Sequence, residues 1–261
     1  MPAFTGGDCT TTAGSVALSC QFQSIGTGAL LYSAYTRLYA MSSEITDFCT
    51  PAQIATDMTS CAQAAINAAA ATATASQGGR VIHMPAYVGA YNLAGTLSIT
   101  SSFVTLAGDG RQATRILCAN GSADCAIIGQ TGAGQIRGSG LRDLSIWGSG
   151  KTGGAGVHVV NAYDTALDNI SVEAAINGID VDQDTNTTRL RHVVVTLATG
   201  STGVGLRYHA VSGHRSDVLS IYDVTIEGNW TMSTGFVWDG PAFTVTGSGL
   251  RLLHGQYGLQ V

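Results

Sequence analysis

The sequence predicts an all-β fold: a right-handed parallel β-helix solenoid, with an N-terminal capping α-helix and a small N-terminal module. Three observations predict it. The chain holds 34 glycines but only 4 prolines in 261 residues, and just 11% of its residues are charged. That composition suits many short strands joined by tight turns, and not a collagen-like or disordered segment. Two strand motifs also recur in phase through successive units of the chain. Finally, an amphipathic helical pattern immediately precedes the first strand, where an open solenoid coil needs cover.

The repeat is read from Leu141-Arg142-Asp143-Leu144-Ser145-Ile146, followed by segments starting at Leu167, Leu190, Ile221 and, more weakly, Gly247. Each is followed by a Gly-initiated strand, beginning at Gly156, Gly178, Gly203, Gly235 and Gly258. In Leu-x-x-Leu-x-Ile the two intervening residues form a bend, and the alternation after it points Leu and Ile inward. Asp143, Asn169 and Asp223 occupy the bend. Asn and Asp tolerate left-handed backbone there and can stack as a hydrogen-bonded ladder, so these three read as structural.

Ahead of the solenoid, residues 50–78 read as the cap. Thr50 is an N-cap, Pro51 fits the first helical position, Gln53 completes a capping box, and Gln77-Gly78-Gly79 stops the helix. Ile54, Met58, Cys61, Ala65 and Ala69 form its apolar stripe. Residues 1–49 are turn-rich and polar, with Leu31, Tyr35, Leu38 and Tyr39 on one helical face. They read as an attachment or docking module. At the other end Val261 falls inside the second strand of a coil, so another chain or a further segment is expected to complete the solenoid.

Net charge is −5 with only 12 lysines and arginines, and no basic stripe of the kind nucleic acid requires is present. No apolar run approaches the ~20 residues of a membrane span. The N-terminus has neither a positive n-region nor an apolar core, so synthesis in a cytosol is expected. The cysteines form no CxxC pair and no zinc-ligand spacing, so no metal or other cofactor is expected. Cys118 and Cys125 can bridge adjacent coils, but for a cytosolic product free buried thiols are the favoured expectation.

Several stretches resemble the start of the pectate-lyase-superfamily domain of phage tailspikes and bacterial polysaccharide-active proteins. They are Ala62–Ala69, Gly78-Gly79-Arg80-Val81-Ile82-His83-Met84-Pro85, Thr96-Leu97-Ser98-Ile99, and Leu106-Ala107-Gly108-Asp109-Gly110. The Asp-Phe-Gly-Ala-x-Gly-Asp-Gly stretch that often precedes the helix is missing, and Ala86–Gly89 interrupts the usual turn after Pro85. The segments Ala3–Asp8 and Thr11–Ser15 are similar to short repeats of phage tail-fibre proteins. The resemblance implies a homotrimeric virion protein, made in the host cytoplasm. It would bind bacterial surface polysaccharide and attach to other tail proteins through residues 1–49. An active depolymerase, hydrolase or lyase, is the alternative; a secreted bacterial β-helix enzyme is a third reading.

Aligning the Gly-initiated strands places Asp182, Arg207 and Asp239 on successive rungs of the outer face, with Asp184, His209 and Tyr208 alongside. Carboxylates two residues apart on a strand lie ~6.7 Å apart, and those two rungs apart ~9.6 Å. Both distances suit a glycosidase acid/base pair. Asp182, Asp239 and Asp184 are therefore the candidate catalytic residues, although an Asp–Arg–Asp column reads more simply as a way to balance charge on a solvated sheet. Arg207, His209 and Tyr208 are binding candidates with Trp147 and Trp230, which lie just past strand ends, where a ring can stack on a sugar or pack at a core edge or trimer contact. Trp238 reads as core, Asp109 as a turn residue and His214 as a loop residue. No Asp-Asp pair of the polygalacturonase type occurs.

Overall fold

The computed structural model describes residues 9–10, 19–20, 42–75, 79–132, 134–148, 150–198, 201–210, 214, 216–228, 233–240, 242–255 and 257–261. The chain divides into two compact units, Met1–Ser42 and Ser43–Val261. In the first, Cys9–Thr10 pairs antiparallel with Ser19–Cys20, placing Cys9 opposite Cys20. The helical face read at Leu31, Tyr35, Leu38 and Tyr39 lies outside the described residues.

The second unit is a parallel β-solenoid of about six turns. Among the described residues two large sheets build it, beside a two-stranded one that pairs Ile136–Arg137 with Ala162–Tyr163. The long-strand sheet contains Gly140–Trp147, Ala166–Ala175, Thr188–Leu197, Ser216–Glu227 and Ala242–Leu253 as neighbours in that order. The short-strand sheet runs through Ala126–Gly129, Ala155–Val160, Asn177–Val181, Val204–His209, Thr234–Asp239 and Tyr257–Gln260. Each strand pairs in parallel with the same strand one turn on, so the repeat read from the sequence is the physical coil.

In the long strands the register follows the repeat: Leu141, Leu167, Leu190 and Ile221 stack as direct partners, ending on Gly247. Between the two inward pairs sits a residue with left-handed backbone: Asp143 (φ 56°), Asn169 (φ 50°), His192 (φ 52°) and Asp223 (φ 52°). These bends turn the strand through a corner without ending its ladder. Asn169 Nδ2 donates to Asp143 Oδ1 at 2.7 Å, one step of a stacked ladder.

The core is the column of inward side chains between the sheets, with Leu144, Ile170, Val193 and Val224 from one and Val157, Ile179, Leu206 and Phe236 from the other, all buried. Burying each such side chain contributes roughly 1.5–3 kcal/mol. One relation between the sheets fixes their alignment. A Cβ on Gly156, Gly178 or Gly205 would meet Val172 Cγ1, Val195 Cγ1 or Ile226 Cγ2 at 2.2, 2.3 and 2.1 Å. The glycine column therefore exists to admit the aliphatic column facing it.

The cap departs from a single helix. Thr50 and Gln53 form the expected reciprocal capping box with Pro51 in the first turn, but this helix, α1, ends at Thr56. Asp57 is extended (φ −155°), and its Oδ1 accepts from the backbone N–H of Thr59 at 2.9 Å and of Ala94 at 3.0 Å. A second helix, α2 (Thr59–Ala70), follows, burying Cys61, Ala62, Ala65, Ile66 and Ala69. It ends well before Gln77 and Gly78, which lie outside the described residues. Asp57 breaks the helix because its short carboxylate competes for backbone donors, as capping residues do.

The cysteines correct the free-thiol expectation. Cys49 is bonded to Cys61 and Cys118 to Cys125, and none of the described cysteines is free. The first bridge ties the segment before α1 onto α2. Folding brought each pair within bonding distance, which the compartment argument could not register. No described helix is long and apolar enough to cross a membrane.

Candidate functional site

A chain of acids and histidines crosses successive turns on the outer face of the short-strand sheet. Strand alternation turns Val157, Val159, Ile179 and Val181 inward and leaves His158 and Asp180 outward as direct register partners. The next rung brings Arg207 opposite Asp180 and Tyr208 opposite Val181. One rung further, Asp239 lies opposite His209.

The side chains close into a network. His158 Nδ1 lies 2.9 Å from Asp124 Oδ2, and its Nε2 lies 3.5 Å from Asp182 Oδ2. His209 Nε2 lies 2.9 Å from Asp180 Oδ1 and 3.6 Å from Asp182 Oδ1, while its Nδ1 is 4.0 Å from Asp239 Oδ1. Arg207 reaches Asp239 at 3.5 Å. Asp124 is held in turn, accepting from the Ala155 N–H at 2.7 Å. Behind it the buried Lys151 ammonium donates to Asn120 Oδ1 at 2.7 Å and to the Ala123 carbonyl. The site thus runs from a partly buried end at His158 to an open end at Arg207 and Asp239, whose side chains are 43% and 44% exposed.

Burial alone would lower the His158 pKa, but its hydrogen bond to Asp124, the nearby Asp182 carboxylate and the charges of Asp180 and Asp124 override this. The ring is pushed up to about 10 and is an imidazolium at neutral pH. Burial likewise works to raise Asp124 and Asp182, yet the nearby His158 ring and hydrogen bonds from backbone N–H groups hold both below the ordinary carboxylate value. Lys151 is lowered, chiefly by burial. The inner part of the network is therefore a row of fixed, alternating charges.

The structure brings together Asp182, His209, Asp239 and Arg207, though not in the register expected. Asp182 sits beside His209, and Arg207 beside Asp180, a slip of two residues. Gly205, not Gly203, occupies the glycine column; a slip of two preserves which side chains face outward, so alternation alone could not detect it. Tyr208, a binding candidate, is instead fully buried in the core, because its neighbours Arg207 and His209 take the outward positions. Asp184 has left-handed backbone and pairs with His214 at 2.5 Å, turned from the other acids. Trp147 is half-buried under the Arg115 guanidinium, 5.0 Å from its ring centre, and Trp230 lies outside the described residues. Trp238 is partly buried against the core, donating Nε1 to the Ala242 carbonyl at 3.1 Å. Sequence reasoning missed His158 and Asp124. The alignment of Gly156 with Gly178 already set His158 beside Asp180, which was the available signal.

No family model and no curated protein matches this sequence. Solved structures do. A tailspike protein of E. coli bacteriophage HK620, solved with a pentasaccharide, aligns with 88% of this chain at a TM-score of 0.59 and 13% identity. The fold shared with these structures is the parallel β-helix. This β-helix spans 41% of that tailspike's length. PfbA, a surface adhesin of Streptococcus pneumoniae, aligns over 84% of the chain and 65% of its own length (TM-score 0.57, 10% identity). The A-module of the Azotobacter vinelandii mannuronan C-5 epimerase AlgE4 aligns over 79% of the chain and 73% of its own length (TM-score 0.50, 18% identity). At these identities the likeness establishes the β-helix fold alone.

Proposed function

We propose that this protein is a phage tailspike or tail-fibre-type virion protein. It binds a bacterial surface polysaccharide along the outer face of the short-strand sheet. The observation that carries the reading is the Asp124–His158–Asp182–His209–Asp239 network with Arg207. Glycan hydroxyls both donate and accept, and a row of carboxylates alternating with imidazole and guanidinium donors offers them both partners on every rung. Strands ~4.8 Å apart hold these groups at fixed intervals along an extended ligand. The sequence resemblance, and a tailspike solved with a bound pentasaccharide among the fold's neighbours, support the same reading. Trimeric assembly and attachment through residues 1–49 belong to this proposal.

A depolymerase is the second reading, favoured by Asp182 and Asp239 flanking the single ring of His209. Hydrolysis by a carboxylate pair needs one acid kept protonated by a raised pKa. Asp182 is held down, which suits it to the ionised member of such a pair and not to the acid. Titrating the protein against capsular and O-antigen polysaccharides, while assaying reducing ends and unsaturated uronates, separates the readings. Binding without new ends supports the first, turnover abolished by Asp182→Asn supports the second, and neither binding nor turnover refutes both.

A further inference from the structure

The long-strand sheet carries a local cluster of arginines on its outer face. Arg111, Arg142, Arg189 and Arg191, four of the chain's 12 lysines and arginines, gather around one corner of it. Arg142, Asp168, Arg191 and Tyr222 are direct register partners on four successive rungs. Arg189 lies two residues before Arg191 on the same strand face, opposite the small Ala166. Arg111 reaches along the bend to the His192 carbonyl at 3.4 Å. Arg142, Arg189, Arg191, His192 and Tyr222 are exposed.

The partners already present show what this corner accepts. Asp168 receives Nε of Arg191 at 2.9 Å and also its Nη2, a two-pronged carboxylate grip. His192 and Arg142 add their charge, and together they hold Asp168 below the usual carboxylate range, Arg191 contributing most. Asp168, with Asp143 acting on Arg191 from further off, is thus set among several guanidinium groups. The Arg142 and Arg189 guanidiniums make no hydrogen bond to the described residues. Guanidinium groups recognise carboxylates by paired, planar hydrogen bonds that an ammonium cannot reproduce. The exposed Tyr222 ring ends the row and offers a flat face for a sugar.

We propose that this corner, formed by Arg142, Arg189, Arg191 and Tyr222, is a second binding surface, for a carboxylate-bearing glycan. It is separate from the short-strand network and stands or falls independently of it. Asp168 sets its strength by partly neutralising Arg191, so the surface selects for acidic sugars without becoming a general polyanion trap.

The test measures retention of the full chain on immobilised hyaluronate, alginate and polygalacturonate, with neutral dextran and dextran sulfate as comparators. Retention on at least one carboxylated polymer, and not on dextran, is expected. The Arg142→Gln/Arg191→Gln pair should weaken it at least tenfold, with unchanged melting temperature, since both side chains are exposed. Arg142→Lys/Arg191→Lys should also weaken it, because charge survives but the planar fork is lost. Asp168→Asn should strengthen binding, and Arg251→Gln, an exposed arginine elsewhere on the sheet, should leave it unchanged. Failure of every carboxylated polymer to bind would overturn the proposal. So would full retention by the double lysine variant with equal retention on dextran sulfate, which would signify undirected charge. Loss of binding in Asp182→Asn but not in the arginine variants would assign the activity to the short-strand face.

Discussion

His158 is bracketed by carboxylates from two other turns, and its tightest contact is Nδ1 to Asp124 Oδ2 at 2.9 Å. Asp124 belongs to the turn before and Asp182 to the turn after, so a single imidazolium links three coils. The same ring orients the inner end of the proposed glycan surface. Stability and function therefore share one group here.

The first expectation concerns pH. The folded His158 pKa, about 10, lies above the ~6.5 of a free imidazole. Its stabilising effect is then complete below about pH 6.5 and lost as pH rises through about 10. Asp124 and Asp182, held low, contribute above the free-carboxylate pKa and lose that contribution as the solution becomes strongly acidic. His158→Gln should destabilise by about 1–3 kcal/mol near neutrality, the range of charge-assisted hydrogen bonds. Chemical denaturation from pH 6 to 11 should show the gap between wild type and variant closing at the alkaline end. A gap that stays constant would contradict the assignment.

A second expectation tests the register of the two sheets. Gly205→Ala puts a methyl 2.1 Å from Ile226 Cγ2, and such overpacking costs about 1–3 kcal/mol. Ile226→Ala should cost about 2–5 kcal/mol alone. The double variant should be less destabilised than the sum, since removing Ile226 makes room for the new methyl. Gly134→Ala, where an added Cβ meets nothing within 4 Å, serves as control. Simple additivity would place Gly205 outside the column.

Thiol counting tests the disulfides. Denatured, unreduced protein should release no thiol from Cys49, Cys61, Cys118 or Cys125. Replacing Cys49 and Cys61 by Ser should lower stability by about 2–3 kcal/mol for a loop of that length. Four reactive thiols per chain from these residues would restore the sequence-based expectation.

The bends give a fourth. Asn169 holds φ 50°, where a β-branched residue is strained but glycine is not. Asn169→Val should cost about 1–3 kcal/mol, and Asn169→Gly less, losing chiefly the bond to Asp143. Equal melting temperatures for wild type and Asn169→Val would contradict the left-handed corner.

These features differ in how far the sequence discloses them. The long strands were legible because Leu-x-x-Leu-x-Ile carries both an alternation and a bend residue, which together fix register to the residue. The short strands carry alternation alone. At Val204–His209 two glycines stand two residues apart, and nothing local says which of them faces Ile226. That slip hid the contact of His209 with Asp182; Tyr208 is inward in either register, since alternation already places it between the outward Arg207 and His209. The helix break was visible in principle, since Asp57-Met58-Thr59 is itself a capping signal, but the apolar stripe ran through it. Asp124 was not legible: it sits in a loop, and only the closing of the coil brings it to His158.

The central claim is that the outer face of the short-strand sheet binds glycan through the acid–histidine network. An array of purified bacterial capsular and O-antigen polysaccharides, probed with wild type and His209→Ala at matched folding, tests it most directly. Retention on at least one polysaccharide, reduced tenfold or more in the variant, is the expected result. Binding that His209→Ala leaves unchanged, or no binding on any polysaccharide, would contradict it.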